Sequence, residues 1–201
     1  MLLKTGVFGG TFDPVHIGHL AVAERVYCDL GLDRIVFVPA STSPFKLGEV
    51  STSGEHRLTM LKLAVRDNSH FAVSDIELQR GGTSYTVDTM EILKDRYPGD
   101  EFYFIMGMDS FLELSGWKGV ERLVELSQLV VVSRPGYELP QEQKQLLTLP
   151  PAVWQRTHFL EMPGLDIAAT EIRERVKKGT SVRYLLTPEV ETYIHENGIY
   201  R

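Results

Sequence analysis

The amino-acid sequence predicts an α/β fold with a doubly wound, mainly parallel sheet and a small C-terminal helical part. Three observations support this fold. Short apolar segments alternate with amphipathic segments of helical length over the first two thirds of the chain. Gly or Pro stands at the ends of the amphipathic segments, and no segment repeats. Because ligands of such sheets bind beyond the carboxyl ends of the strands, the residues that follow each strand are the candidates for a site.

The first half of the chain shows the alternation most clearly. The first strand is followed by a helix whose residues Leu20, Ala23 and Val26 share one apolar face, and Gly31 closes this helix. The second strand is the buried stretch RIVFVPA. In chain order, this half predicts strands at 5–8, 34–40 and 71–78 and helices at 16–30, 55–66 and 85–97.

The second half begins with two strongly apolar strands, EFYFIMG and QLVVVSR. The segment 135–155 has several prolines and little periodicity, so we interpret it as a peripheral excursion. We expect a single domain over 1–201, with a core to about residue 165 and a helical part over 166–201. This half predicts strands at 101–107, 128–134 and 157–162 and helices at 172–178 and 188–196.

Composition limits the possible partners. The net charge of −6 and the absence of a Lys/Arg stripe argue against a nucleic-acid binder. No apolar run is long enough for a membrane span, and we expect no signal peptide, because the first residues show no basic segment followed by a small-residue cleavage site. The only cysteine, Cys28, cannot form an internal disulfide. We therefore expect a cytoplasmic protein that binds small molecules, and the sequence predicts no oligomeric state.

The stretch GGTFDPVHIGH, at 9–19, predicts a phosphate site. Gly9 and Gly10 stand where the first strand turns toward the first helix, and their missing Cβ atoms let backbone amides approach a ligand. The helix start that follows offers unpaired amides and positive potential to an anion. Neither the dinucleotide pattern G-x-G-x-x-G nor the P-loop pattern is present, so the site is of another kind.

Two histidines follow these glycines. His16 and His19 are three residues apart at a helix start, and Gly18 leaves a gap where a base or phosphate could contact backbone. Imidazoles can donate a hydrogen bond or carry positive charge, and either would stabilise a phosphoryl group that gains negative charge in a transition state. They could instead bind a metal ion, although no third ligand stands at suitable spacing, or could be two exposed side chains.

The same stretch resembles the signature of the nucleotidyltransferase superfamily with a T/H-x-G-H motif. Over nearly its whole length the chain resembles bacterial nicotinate-nucleotide adenylyltransferases. The resemblance implies a Rossmann-like fold and transfer of AMP from ATP to nicotinate mononucleotide, which gives deamido-NAD and pyrophosphate in NAD biosynthesis. It implies no covalent enzyme intermediate. Besides 9–19, the matching stretches are PFK at 44–46, GGTSYTVDT at 81–89, GMDSF at 107–111 with Trp117, SRPGY at 133–137 and IAATEIR at 167–173.

The resemblance also implies the residues that handle ATP. His16 and His19 would hold the phosphates and stabilise the transition state. Lys46 would face the reacting groups from the loop after the second strand, and Arg173 would hold the outgoing pyrophosphate. Mg²⁺ is expected on ATP, bound by phosphates and water rather than by protein side chains. The further ATP-binding positions are Gly9, Gly10, Thr11, Phe12, Gly18, Gly107, Asp109 (near the ribose) and Thr170.

The acceptor site is implied by a second group of residues. The amides of Tyr85 and Thr86, at the helix start that follows Ser84, would receive the carboxylate of nicotinate mononucleotide, and Trp117 would stack on the pyridine ring. Because such a site offers donors, it would disfavour the NH2 group of the corresponding amide.

This chain departs from the family pattern at three positions. Phe45 stands where the family usually has His, and Ala168 and Ala169 stand where it has two serines. The alanines remove hydroxyl donors near the pyrophosphate, so backbone amides and Thr170 would have to serve there.

Other functions remain open from the sequence. The chain could adenylylate nicotinamide mononucleotide or phosphopantetheine, act as a cytidylyltransferase, or bind nucleotides without catalysis. Simpler interpretations of single residues are a helix cap for Asp109, a packed aromatic for Trp117, and surface charges for Lys46 and Arg173.

Overall fold

The computed structural model describes residues 2–42, 52–133, 147–162 and 164–201. Within them, parallel strands form a six-stranded sheet in the order β3-β2-β1-β4-β5-β6, which confirms the predicted doubly wound fold. The order reverses between β1 and β4, and this point is where such folds bind ligands. The strands are β1 (Lys4–Gly10), β2 (Arg34–Pro39), β3 (Phe71–Val73), β4 (Glu101–Gly107), β5 (Ser127–Ser133) and β6 (Thr157–Glu161).

Helices cover both faces of the sheet. In the described ranges, none of them is long and apolar enough to cross a membrane. They are α1 (Ile17–Leu30), α2 (Gly54–Val65), α3 (Ile76–Arg80), α4 (Thr86–Arg96), α5 (Met108–Leu112), a 3-10 turn (Leu114–Gly116), α6 (Val120–Leu126), α7 (Pro151–Gln155), α8 (Ala169–Lys177) and α9 (Pro188–Glu196).

The strand pattern explains the two helical layers. Successive strand residues face opposite sides, so Val7 and Phe8 of β1 belong to different buried clusters. The cluster around Phe8 includes Val26 of α1 and Val190 of α9, while the cluster around Val7 includes Leu123 of α6. Both C-terminal helices, α8 and α9, therefore pack on the same face as α1 and α2.

One predicted element is wrong in part. The segment 71–78 is a strand only over Phe71–Val73, and Ile76–Arg80 forms α3. The pairing of β3 with β2 does not continue, because β2 ends at Pro39, and a proline has no backbone amide to donate the next hydrogen bond. The predicted excursion 135–155 contains α7, and its first part, with Arg134 before it, lies outside the described residues. Phe45 and Lys46 also lie outside them.

Candidate active site

A cleft of about 530 Å³ lies at the carboxyl ends of the central strands. It adjoins the point between β1 and β4 where the strand order reverses, which is the position expected for a ligand. The cleft has two ends, one at the turn after β1 and one at the start of α4. Its lining residues are Gly9, Gly10, Thr11, Ala40, Glu77, Ser84, Tyr85, Thr86, Phe104, Asp109, Ser110, Glu113, Gly116, Trp117 and Lys118.

Gly9 and Gly10 are the last two residues of β1, not part of the turn that the sequence predicted, and both are closely packed. A Cβ atom on Gly10 would lie 3.0 Å from the ring of Phe12, and one on Gly9 would lie 3.3 Å from the ring of Phe104. Phe12 has a positive φ of 50° and turns its side chain into the core, 3% exposed. Of the predicted ATP-binding residues, Phe12 can thus offer only backbone to a ligand, whereas Gly9, Gly10 and Thr11 face the cleft.

The two histidines form a stacked pair at the start of α1. Their ring centres are 3.7 Å apart at an interplanar angle of 27°, and the backbone amide of His16 donates to Nδ1 of His19 at 3.2 Å. Gly18 makes this stacking possible, because a Cβ atom there would lie 3.0 Å from Nδ1 of His16. The imidazoles lie on the same side, as predicted, but His16 is the N-cap of α1 with extended backbone (φ −141°, ψ 170°), so the capping contact with His19, and not helical spacing, brings them together.

Burial determines the charge of His16. The residue is 7% exposed, and desolvation lowers its pKa to about 4. At neutral pH its ring is uncharged, so it can act on a phosphate as a hydrogen-bond donor rather than as a cation. The Nδ1 atom of His16 is buried without a hydrogen-bond partner among the described residues.

Arg173 reaches the same region from α8. Its Nη1 atom donates to the carbonyl oxygen of Asp13 at 2.8 Å, and its Nη2 atom donates to Oγ1 of Thr170 at 3.2 Å. Ile167, before α8, approaches the open side of Gly18. The structure thus gathers Arg173, Thr170 and the histidine pair around the loop after β1. Ala168 is the N-cap of α8 and gives it no side-chain cap, as expected from the missing hydroxyl.

A buried arginine that sequence reasoning missed supports this loop. Arg57 of α2 is 2% exposed and donates to the carbonyl oxygen of Thr11 at 2.8 Å. Burial lowers the pKa of Arg57, and the nearby Asp13 carboxylate opposes that shift. The sequence pattern does not indicate Arg57 as a buried residue, because an arginine in a helix is normally expected at the surface.

The acceptor end of the cleft contains Ser84, Tyr85, Thr86 and Trp117, as predicted. The ring of Trp117 meets that of Phe104 edge-on at 6.2 Å, which fixes the orientation of the indole. Tyr85 is the N-cap of α4, so the amides at this helix start are not consumed by the helix itself.

Ser84 does not cap α4, whose N-cap is Tyr85. Its amide donates to the carbonyl oxygen of Thr42 at 2.9 Å, and its Oγ accepts from the amide of Ser41 at 2.9 Å. Ser84 therefore joins the turn before α4 to the chain that follows β2, and so shapes this wall of the cleft.

Glu77 is a second residue that sequence reasoning missed. Its carboxylate lines the cleft, is 7% exposed, and accepts hydrogen bonds from the hydroxyls of Thr89, at 2.5 Å, and Ser84. Burial raises the pKa of Glu77 despite these donors. The strand predicted over 71–78 did not indicate Glu77 as a site residue. In the structure Glu77 belongs to α3 and lines the cleft.

Two predicted residues lie at the junction of β4 and α5. Gly107 is the N-cap of α5, while Asp109 lies within that helix and lines the cleft. Asp109 is therefore not the helix cap that the simpler interpretation suggested.

Among the described residues, no three His, Cys, Asp or Glu side chains are grouped as metal ligands would be.

Comparisons with known proteins show which sequences and folds this chain is similar to. The family model described as "Cytidylyltransferase-like" matches residues 7–175. A protein of Desulfitobacterium hafniense (strain DSM 10664 / DCB-2), named "Probable nicotinate-nucleotide adenylyltransferase", is 43% identical over 198 residues, covering 98% of this chain and 96% of its own. A Syntrophotalea carbinolica protein of the same name is 44% identical over 219 residues, covering 99% and 98%.

A solved structure supports the fold. The Plasmodium falciparum nicotinic acid mononucleotide adenylyltransferase, complexed with NaAD, has a TM-score of 0.79 at 19% identity and covers 98% of this chain and 97% of its own. At that identity, the likeness concerns the arrangement of strands and helices.

Proposed function

The chain belongs to the nicotinate-nucleotide adenylyltransferases of the cytidylyltransferase-like family, and from that premise we propose how its cleft performs the reaction. The enzyme transfers AMP from ATP to nicotinate mononucleotide, giving deamido-NAD and pyrophosphate. One observation supports the assignment of residues best. The same cleft is lined by the glycines that end β1, suited to phosphates, and by Trp117 with the start of α4, suited to a flat anion.

At the acceptor end, the amides of Tyr85 and Thr86 receive the carboxylate of the nicotinate ring, and Trp117 stacks on the ring. A helix start favours an anion through its unpaired amides and its dipole. The edge contact with Phe104 holds the indole in place before the ring arrives. These groups favour the acid over the amide, whose NH2 would meet donors.

At the ATP end, Gly9, Gly10 and Thr11 approach the phosphates through their backbone. His16, uncharged, and His19 donate hydrogen bonds to phosphoryl oxygens whose charge grows in the transition state. Asp109 accepts hydrogen bonds from ribose hydroxyls. Gly18 and Gly107 have no side chains that could obstruct ATP beside these residues.

The reaction itself is an in-line displacement. An oxygen of the acceptor phosphate forms a bond to the α-phosphorus of ATP, the bond from that phosphorus to the bridging oxygen breaks, and pyrophosphate leaves with the electron pair. The residues supply position and charge, not a nucleophile. Arg173 and Thr170, at the start of α8, hold the departing pyrophosphate, and Lys46 is proposed from the resemblance as a further cation.

The enzyme uses a divalent cation with ATP, and we propose Mg²⁺. We propose that phosphate and water supply most of the ligands of this cation, as is usual for Mg²⁺ on a nucleotide. We further propose a single domain, since α8 and α9 share the buried cluster of α1 and α2. The cytoplasmic location stays a prediction.

The test is an acceptor panel. Pyrophosphate release from ATP and Mg²⁺ is measured with nicotinate mononucleotide, nicotinamide mononucleotide and phosphopantetheine offered separately. We expect the highest kcat/KM with nicotinate mononucleotide and no release with phosphopantetheine. Faster turnover of phosphopantetheine, or no turnover of either mononucleotide, would contradict the assignment. Replacing Mg²⁺ by EDTA should abolish release with every acceptor.

A further inference from the structure

The loop between β1 and α1 is buried and is held from outside by residues far away in sequence. We propose that Tyr200 is a positioning residue of the transfer reaction: its hydroxyl fixes Asp13, and with it the loop that joins Thr11 to His16. The inference rests on the proposed function, because that loop is the proposed phosphate site.

Asp13 is the centre of the contacts. Its carboxylate is 4% exposed and accepts from the hydroxyl of Tyr200 at 2.5 Å and from the amide of Thr52 at 3.3 Å. A buried carboxylate needs such donors, because each lost hydrogen bond leaves charge without solvation. The orientation of Asp13 is thus determined by partners outside its own loop.

The backbone of the same loop is held by two arginines. Arg57 donates to the carbonyl oxygen of Thr11 at 2.8 Å and to that of Thr52 at 3.0 Å, and Arg173 donates to the carbonyl oxygen of Asp13 at 2.8 Å. Because Arg173 bonds to Asp13 itself, a shift of Asp13 would move both the phosphate loop and the cation that we assign to pyrophosphate.

Tyr200 reaches Asp13 through a turn after α9. Gly198 has a φ of 62°, which a residue with a side chain rarely adopts, and Ile199 then packs into the core at 7% exposure. This reversal points Tyr200 back toward a loop 187 positions earlier. Burial and the neighbouring Asp13 raise the pKa of Tyr200, so its hydroxyl keeps its proton and remains a donor.

The test compares two tyrosines of the same region. Tyr200→Phe removes only the hydroxyl that contacts Asp13. Tyr193→Phe is the matched control: Tyr193 lies in α9 and its hydroxyl bonds to Nδ1 of His56 at 2.9 Å, away from the loop. For each variant, kcat and both KM values are measured together with Tm.

We expect Tyr200→Phe to lower kcat/KM for ATP about tenfold, the effect of one hydrogen bond to a charged group, with the KM for nicotinate mononucleotide unchanged. Tyr193→Phe should leave kcat and both KM values at the wild-type level. Equal kinetics in the two variants would overturn the inference, as would a fall in Tm with unchanged kinetics. Failure of the wild-type protein to use nicotinate mononucleotide would instead refute the proposed function.

Discussion

The imidazole rings of His16 and His19 lie stacked, with 3.7 Å between their centres. The stacking depends on the residue between them, since Gly18 has no side chain to displace the His16 ring. It also places a buried, uncharged histidine beside the second one at a helix start that suits phosphates.

Replacing Gly18 by Ala should reduce catalysis without unfolding the protein. The new methyl group would lie 3.0 Å from Nδ1 and 3.1 Å from Cε1 of His16, so the ring must move. Misplacing a reacting group by about 1 Å can cost up to about a hundredfold in rate. We expect kcat to fall by more than about tenfold, with Tm nearly unchanged. Gly99→Ala, where nothing lies within 4 Å, should have no effect on kcat.

The buried state of His16 should make stability depend on pH. Burial lowers its pKa in the folded protein to about 4, below the 6.5 of a solvated histidine, so the folded protein disfavours the charged ring. This stability is fully present above pH 6.5 and is lost as the pH falls through that value toward 4. Between pH 7 and pH 4.5, the loss is about 2 kcal/mol of unfolding free energy.

Urea unfolding at the two pH values checks this effect. The His16→Gln variant should lack the loss of about 2 kcal/mol, so the stability of wild type relative to the variant should fall by about that amount between pH 7 and pH 4.5. His195→Gln, at an exposed position in α9, should retain the wild-type dependence. A pH dependence that is the same in wild type and His16→Gln would refute the burial argument.

Trp117 should affect the acceptor and not ATP. Removing an aromatic ring that stacks on a base costs about 1 to 3 kcal/mol. Trp117→Ala should therefore raise the KM for nicotinate mononucleotide about tenfold or more and leave the KM for ATP unchanged. Trp117→Phe should recover part of the loss. A lower Tm with unchanged KM values would identify Trp117 as a packing residue only.

Arg173 should require its forked guanidinium. It donates from separate nitrogens to the backbone of Asp13 and the hydroxyl of Thr170, and a lysine cannot reproduce this geometry. Arg173→Lys should lower kcat about tenfold to a hundredfold and leave the KM for nicotinate mononucleotide unchanged. The matched control is Arg175→Lys in the same helix, an exposed partner of Glu171. Similar kinetics in both variants would remove Arg173 from the pyrophosphate site.

Local and periodic features of the fold were readable from the sequence. The apolar strands, the face of α1 and the stop at Gly31 depend on residues within a few positions, and each was confirmed. The segment 71–78 was misread because its alternation is compatible with a strand, whereas its pairing depends on where β2 ends.

The candidate site divides in the same way. The sequence by itself determined the adjacent glycines, the spaced histidines and the start of α4, because each is a short stretch with its own backbone geometry. Only the tertiary structure decided that Phe12 faces the core and that His16 is uncharged. Only the structure brought Arg57 and Tyr200 to Asp13 and Glu77 to the cleft. Burial, desolvation and hydrogen bonds between distant residues arise when the chain is packed, so no local pattern contains them.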